Sequence, residues 1–235
     1  MTYVIGDVHG EFDTLKALLN KFPDDSKLIF VGDLVDRGRK SKEVIDFVKD
    51  NNFLCVLGNH EKMMIDFLIE FEKIYPKFPS LNYHHRWINN GGKQTLFSYE
   101  IIKIDSDGKI ICTKDDKKFK KLMEHFFCLK KLPLYLELPF KKNEKPIVVT
   151  HSCATDVWSK REKELIFEEE VLWSRKEPKA DAKIFNIFGH SIQKEIDITK
   201  HFINVDTGCC YDKEGYGRLS AYCIEKDEVI YVNRI

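Results

Sequence analysis

The side chains able to do chemistry are concentrated in three short runs: Gly6-Asp7-Val8-His9-Gly10, Gly32-Asp33-Leu34-Val35-Asp36-Arg37-Gly38 and Gly58-Asn59-His60-Glu61. The intervals from Asp7 to Asp33 and from Asp33 to Asn59 are both 26 residues. Two later histidines, His151 and His190, stand in similar places, each just after an apolar stretch. Carboxylate, imidazole and carboxamide groups are donors to divalent ions. The mixture suits Mn first, and Fe, Zn, Ni or Co, better than the all-oxygen sites of Mg or Ca. Asp7, His9, Asp33, Asn59, His151 and His190 together exceed the needs of one ion and suit two. Asp33 could bridge ions ~3.5–4 Å apart, the spacing used for in-line displacement at phosphorus.

The elements that must position these groups are legible as apolar stretches. Tyr3 to Ile5, Leu28 to Val31 and Phe53 to Leu57 precede the three runs. A βαβ unit takes on the order of 30 residues, so the spacing predicts three parallel strands with the ligands at their carboxyl ends, where open α/β sheets bind. Helices are expected at about 11–21, from a Ser41 cap through Val44, Ile45 and Val48, and from near Glu61 to Tyr75, where Pro76 stops the pattern. Residues 76–131 read as an insert over one end of the sheet. It holds a Gly91-Gly92 turn, a hairpin about Asp105–Gly108, and an amphipathic helix at 115–130 whose lysines form a solvated face. Strands follow at 134–138, 146–150, 184–188, 201–205, 219–224 and 229–232, with a helix at 160–171, so the second half reads as more antiparallel. The whole chain, 1–235, reads as one α/β domain.

Composition narrows the function classes. Lys and Arg number 38 and Asp and Glu 38, so there is no electrostatic footprint for nucleic acid and no basic membrane-binding surface. No apolar run reaches the ~18 residues that span a bilayer. The start carries no basic leader and no long apolar segment, so a cytoplasmic protein is expected. Seven cysteines, an odd count without a Cys-x-x-Cys pair, suggest neither a disulfide framework nor a zinc ribbon.

The three runs, in this order, resemble the metallophosphoesterases. The Asp36-Arg37-Gly38 ending points to the phosphoprotein phosphatase branch. Trp87 to Gly92 followed by Thr95-Leu96, Leu172-Trp173-Ser174-Arg175 and Val205-Asp206-Thr207-Gly208 look like its bacterial and lambda-type phage variant. The resemblance implies the metallophosphatase sandwich: mixed β-sheets with flanking helices and a dinuclear site. It implies that Asp7, His9 and Asp33 hold one ion and that Asp33, Asn59, His151 and His190 hold the other. A hydroxide held between them would attack phosphorus directly. His60 would protonate the leaving alkoxide, with Asp36 orienting its ring. Arg37 and Arg175 would clamp phosphate oxygens. The implied activity is hydrolysis of phosphoserine and phosphothreonine in proteins, by a monomer without nucleic-acid or membrane partners.

There are departures and rivals. His151-Ser152-Cys153 stands where the family often has His-Ala-Gly, and Arg39 stands where a proline is common. The symmetrical diadenosine tetraphosphate hydrolases share the ligands but tend to have Ala at the place of Asp36 and Asp at that of Glu61. Nucleases and phosphodiesterases of this kind usually carry Gly-His-x-His, whereas here the run is Gly189-His190-Ser191-Ile192. A catalytically dead phosphoprotein-binding scaffold would have lost a ligand or His60, and none is lost. Blander readings stand beside these. Asp36 could pair with Arg37 or Lys40, and Arg175 could be a surface residue. Asp206 could cap a turn or orient a ligand histidine. Cys209 and Cys210 read as reduced core residues. Glu61 is expected only to open its helix, and His84, His85, His125 and His201 are not expected to be ligands.

Overall fold

The central strands are near-continuous apolar runs, buried on both faces. The computed structural model describes residues 1–75 and 85–235. The expectations for Pro76 and His84 lie outside the described residues. The first elements are β1 (Thr2–Ile5), α1 (Phe12–Leu19), β2 (Lys27–Phe30), α2 (Ser41–Asp50), β3 (Leu54–Cys55) and α3 (Asn59–Ile74). As the spacing predicts, β1 and β2 are parallel with Val4 opposite Ile29, and β3 runs parallel to β2. A short π-helical turn at Ile88–Gly92 leads into α4 (Lys93–Ser98). The hairpin β4 (Ile102–Ile104) and β5 (Ile110–Cys112) and helix α5 (Asp116–Leu129) follow. The second half holds β6 (Tyr135–Lys142), β7 (Lys145–Thr150), α6 (Glu164–Trp173), β8 (Phe185–Phe188), β9 (Asp197–Ile198), β10 (Phe202–Asn204), β11 (Arg218–Cys223) and β12 (Glu228–Asn233).

The strands form two five-stranded sheets, in the orders β12-β11-β1-β2-β3 and β6-β7-β8-β10-β9. Val4, Ile29 and Val31 of the first sheet meet Ile147, Val149, Phe185 and Ile187 of the second in one apolar layer between them. Tyr3, Ile5, Leu28 and Phe30, one residue out of phase, face the helices α1, α2 and α3 instead. On the far side, Val148 and Ile184 pack under Phe167 and Val171 of α6. Period-two alternation thus sorts each strand between two cores, giving helix, sheet, sheet and helix layers.

The second half is the more antiparallel one, as expected: β6 with β7, β9 with β10, β11 with β12 and β11 with β1 all pair that way. Within it β7, β8 and β10 are parallel, since the segment through α6 carries the chain back across the sheet. Two expectations change. The helix expected at 160–171 is α6 at Glu164–Trp173, preceded by a 3-10 turn at Trp158–Lys160. Ser41 does not cap α2; it is the first helical residue, and its Oγ accepts from the Asp36 backbone N–H at 3.1 Å. The stretch read as an insert sends Trp87, Leu96, Tyr99, Leu122 and Phe126 into the same core as α2 and α3.

Candidate metal centre

Five strand ends converge. Asp7 and His9 follow β1, Asp33 follows β2, Asn59 and His60 follow β3, His151 follows β7 and His190 follows β8. Both sheets therefore contribute, and every one of these side chains is buried. Two groups of donors form around Asp33, each with ligand atoms within 4.8 Å of one another: Asp33 with His151 and His190, and Asp33 with His9 and His60. The shared carboxylate is the one expected to bridge. Asp7 lies outside both groups, with its oxygens accepting from the His190 backbone N–H at 3.2 and 3.3 Å. Close approach accounts for two glycines. A Cβ at Gly58 would stand 2.3 Å from the Asp33 nitrogen, and one at Gly189 would stand 2.2 Å from Asp7 Oδ1.

Hydrogen bonds decide which ring nitrogens face inward. His9 Nδ1 donates to Val35 O at 2.9 Å, and His151 Nδ1 donates to Val31 O at 2.8 Å. A carbonyl can only accept, so the neutral rings carry their lone pairs on Nε2. His151 Nε2 then faces Asn59 Oδ1 at 2.8 Å and Asp33 Oδ1 at 3.5 Å, acceptor against acceptor. His190 Nε2 is buried without a hydrogen-bond partner. Burial holds His9, His151 and His190 below the usual imidazole range, His190 at about 3. Burial, and then the Asp206 and Asp33 charges, raises Asp7; burial, against the Gly208 hydrogen bond and with the Asp33 charge, raises Asp206 to about 6. Asp33, although buried, is held well below the usual carboxylate range by His151, His60 and His9. Converging lone pairs and buried carboxylates need positive charge among them. The residues present fit divalent ions.

His60 is different. Its Nδ1 donates to Asp36 Oδ2 at 2.6 Å, and its Nε2 accepts from Arg37 Nη2 at 3.0 Å. Burial depresses its pKa, but Asp33 and the hydrogen-bonded Asp36 outweigh it and leave it raised. Asp36 pairs with neither Arg37 nor Lys40. It is fully buried, and its carboxylate accepts from Trp87 Nε1 at 2.9 Å and from Thr95 Oγ1 at 2.7 Å besides His60. Arg37 also reaches His9 Nε2 at 2.8 Å and lies over the Tyr211 ring at 5.3 Å. Arg175, on the segment after α6, is exposed, and its charge helps to lower His151 and His190. Asp206 caps its turn, accepting from the Gly208 N–H at 2.9 Å, and is buried within reach of the Asp7 charge. His125 stays away from the centre, bonded to Tyr99 and Asp46.

Three residues matter more than sequence reasoning allowed. Glu61 does more than open α3: its carboxylate accepts from the backbone N–H groups of Asp33, Leu34, Val35 and Gly58 at 2.8 to 3.2 Å. It ties the second run to the third. Burial raises its carboxyl, to about 8, yet all four of these partners are donors, and that arrangement calls for the carboxylate. Trp87 and Thr95 belong to a run singled out for its resemblance but given no role. The available signal was a buried N–H and O–H in need of an acceptor.

A family model, calcineurin-like phosphoesterase, matches residues 2–194. The chain is 46% identical over 80 residues to the symmetrical bis(5'-nucleosyl)-tetraphosphatase of Actinobacillus pleuropneumoniae serotype 3, a match covering 32% of this chain and 30% of that enzyme. It is 30% identical over 222 residues to serine/threonine-protein phosphatase 2 of Salmonella typhimurium, covering 88% of this chain and 86% of that one. The fold is similar to the crystal structure of a candidate diadenosine tetraphosphatase, with a TM-score of 0.63, 20% identity, and coverage of 100% of this chain and 93% of the other. Converging donors at the ends of five strands, in two sheets packed face to face, and a family match across most of the length lead to one conclusion: the chain belongs to the calcineurin-like phosphoesterases.

Proposed function

We propose that this phosphoesterase hydrolyses phosphoserine and phosphothreonine in proteins. One observation carries the choice of substrate: the buried His60–Asp36 pair, bonded at 2.6 Å, with the His60 pKa raised. An alkoxide is a poor leaving group and needs a proton as the P–O bond breaks, whereas a nucleotide leaves as a stable anion. A histidine kept protonatable by a buried carboxylate suits the first case. The Salmonella relative, similar over 88% of the chain, supports the same reading.

In this reading Asp7, His9 and Asp33 hold one divalent ion, and Asp33, Asn59, His151 and His190 hold the other. Such ions polarise phosphoryl oxygens and acidify water. Arg37 and Arg175 would bind phosphate oxygens beside them. Water attacks phosphorus, and the bond to the serine or threonine oxygen breaks. His60 gives its Nε2 proton to that oxygen while Asp36 keeps hold of Nδ1–H. Arg37 now donates to His60 Nε2, so it must turn to the phosphate oxygens before that nitrogen can carry the proton.

The second reading is a symmetrical dinucleoside tetraphosphatase. It is favoured by the 46% identity over 80 residues, a segment holding less than a third of that relative's length. A side-by-side rate comparison with Mn present separates the two. Phosphoserine peptide should be turned over faster than phosphotyrosine peptide and diadenosine tetraphosphate; a dominant rate on the dinucleotide would sink the protein phosphatase reading.

A further inference from the structure

Two clefts flank Arg37, and their charges differ. One, of about 500 Å³, is lined by Arg39, Lys40 and Arg234 but also by Glu11 and Asp13, and Lys40 is paired with Asp13. The other, of about 620 Å³, lies between the turn ahead of α4 and Tyr211. It is lined by Arg37, Asn89, Asn90, Lys93, Gln94 and Tyr211, and no carboxylate lines it. Its two cations are Arg37, which reaches into the centre, and Lys93, which has no ion pair among the described residues.

This second cleft sits on the side of the acid. The Arg37 backbone N–H donates to Gly91 O at 3.3 Å, and a Cβ at Gly91 would lie 3.2 Å from that of Asp36. Trp87 and Thr95, which hold Asp36, bracket the residues that line it. Arg37 is thus shared between the proposed acid and this cleft. The exposed carboxamides of Asn89 and Gln94 match the alternating donors and acceptors of a peptide main chain. Tyr211 already stacks on Arg37 and no second aromatic ring lines the cleft, so it offers no sandwich for a nucleobase.

We propose that this cleft is the leaving-group subsite, and that it takes a peptide carrying an acidic residue beside the phosphorylated serine, with Lys93 reading the acid. The proposal rests on the protein phosphatase reading above. The test compares kcat/KM for two phosphoserine peptides, one with Asp and Glu flanking the serine and one with Ala and Gln there. The enzymes are wild type, Lys93→Ala, Lys93→Glu and a control, Lys103→Glu, which makes the same charge change on exposed β4. The wild type should prefer the acidic peptide. Lys93→Glu should lower the acidic-to-neutral ratio by about five- to tenfold, through KM, and Lys93→Ala by a smaller factor, as for an exposed charge pair reversed or removed. Lys103→Glu should leave the ratio alone. An unchanged ratio in both Lys93 variants, with peptide hydrolysis intact, overturns the subsite alone. Turnover of diadenosine tetraphosphate with neither peptide hydrolysed overturns the protein phosphatase reading and the subsite with it.

Discussion

Residues of the centre are held in backbone conformations that L-amino acids avoid. His9, Asp33, Asp36, Arg37 and His190 all have left-handed φ, between +48° and +74°. Each costs on the order of 1–2 kcal/mol, and the surrounding hydrogen bonds must hold them there. Asp36 shows how: its N–H donates to Ser41 and Thr95, and its carboxylate accepts from three side chains. This makes Trp87 a positioning residue for the proposed acid. His60→Asn should lower kcat on phosphoserine peptide by about 10²–10⁴. Trp87→Phe keeps one aromatic ring but removes the N–H and the rest of the indole, and should lower kcat on phosphoserine peptide by roughly tenfold with KM unmoved, in proportion to one charge-assisted hydrogen bond. In both variants the loss should shrink on para-nitrophenyl phosphate, whose leaving group needs little protonation. A loss equal on both substrates would mean that Trp87 only supports packing.

Elements act here through what their ends and faces bring together. The first turn of α3 delivers Asn59, His60 and Glu61 to one place, and Glu61 bonds back to the loop after β2. Helix α5 is tied to α2 by a buried polar contact. His125 accepts the Tyr99 hydroxyl proton at Nδ1 and donates from Nε2 to Asp46, itself paired with Lys121. Burial followed by the Lys121 charge lowers the His125 pKa to about 4, so the folded ring is neutral near pH 7. An unfolded histidine titrates near 6.5, so on acidification the unfolded chain takes up a proton that the folded one refuses. Stability should be fully present above about pH 6.5 and fall progressively towards pH 4, by up to about 3 kcal/mol. Urea unfolding at pH 7 and pH 5 checks this: His125→Gln should lose less on acidification than the wild type. Equal losses would assign the pH dependence to other groups.

At the scale of the whole molecule, the candidate ligands cross-link the two sheets. Asp7, His9, Asp33 and Asn59 come from the first, His151 and His190 from the second. Ions bound there would bind only the folded chain, since the unfolded one scatters the donors over 184 residues. Ions at 100 times their dissociation constant should stabilise the fold by about 2.7 kcal/mol. Thermal unfolding with Mn and with chelator should therefore differ by several degrees, and Asp33→Asn should abolish most of that difference. Identical Tm values in the two conditions would exclude a centre that couples binding to folding. Among the described residues no helix is long and apolar enough to cross a membrane.

The sequence by itself determined the local pieces. Runs such as Gly32-Asp33 after Leu28 to Val31 identify a strand and the polar loop it feeds, because period and turn chemistry are short-range properties. The parallel start of the first sheet and the five strand ends that carry donors were legible for that reason. Only the tertiary structure decided the rest. It paired β8 in parallel with β7 and β10 inside a half whose other pairings are antiparallel. It turned Ser41 from a helix cap into a partner of Asp36, and Glu61 from a helix opener into the tie between two loops. It brought Trp87 onto Asp36 across 51 positions of chain. These roles depend on which buried donor meets which buried acceptor, and that is settled by packing between segments far apart in sequence. Tautomers follow the same rule: His9 and His151 present Nε2 because carbonyls of Val35 and Val31 occupy Nδ1.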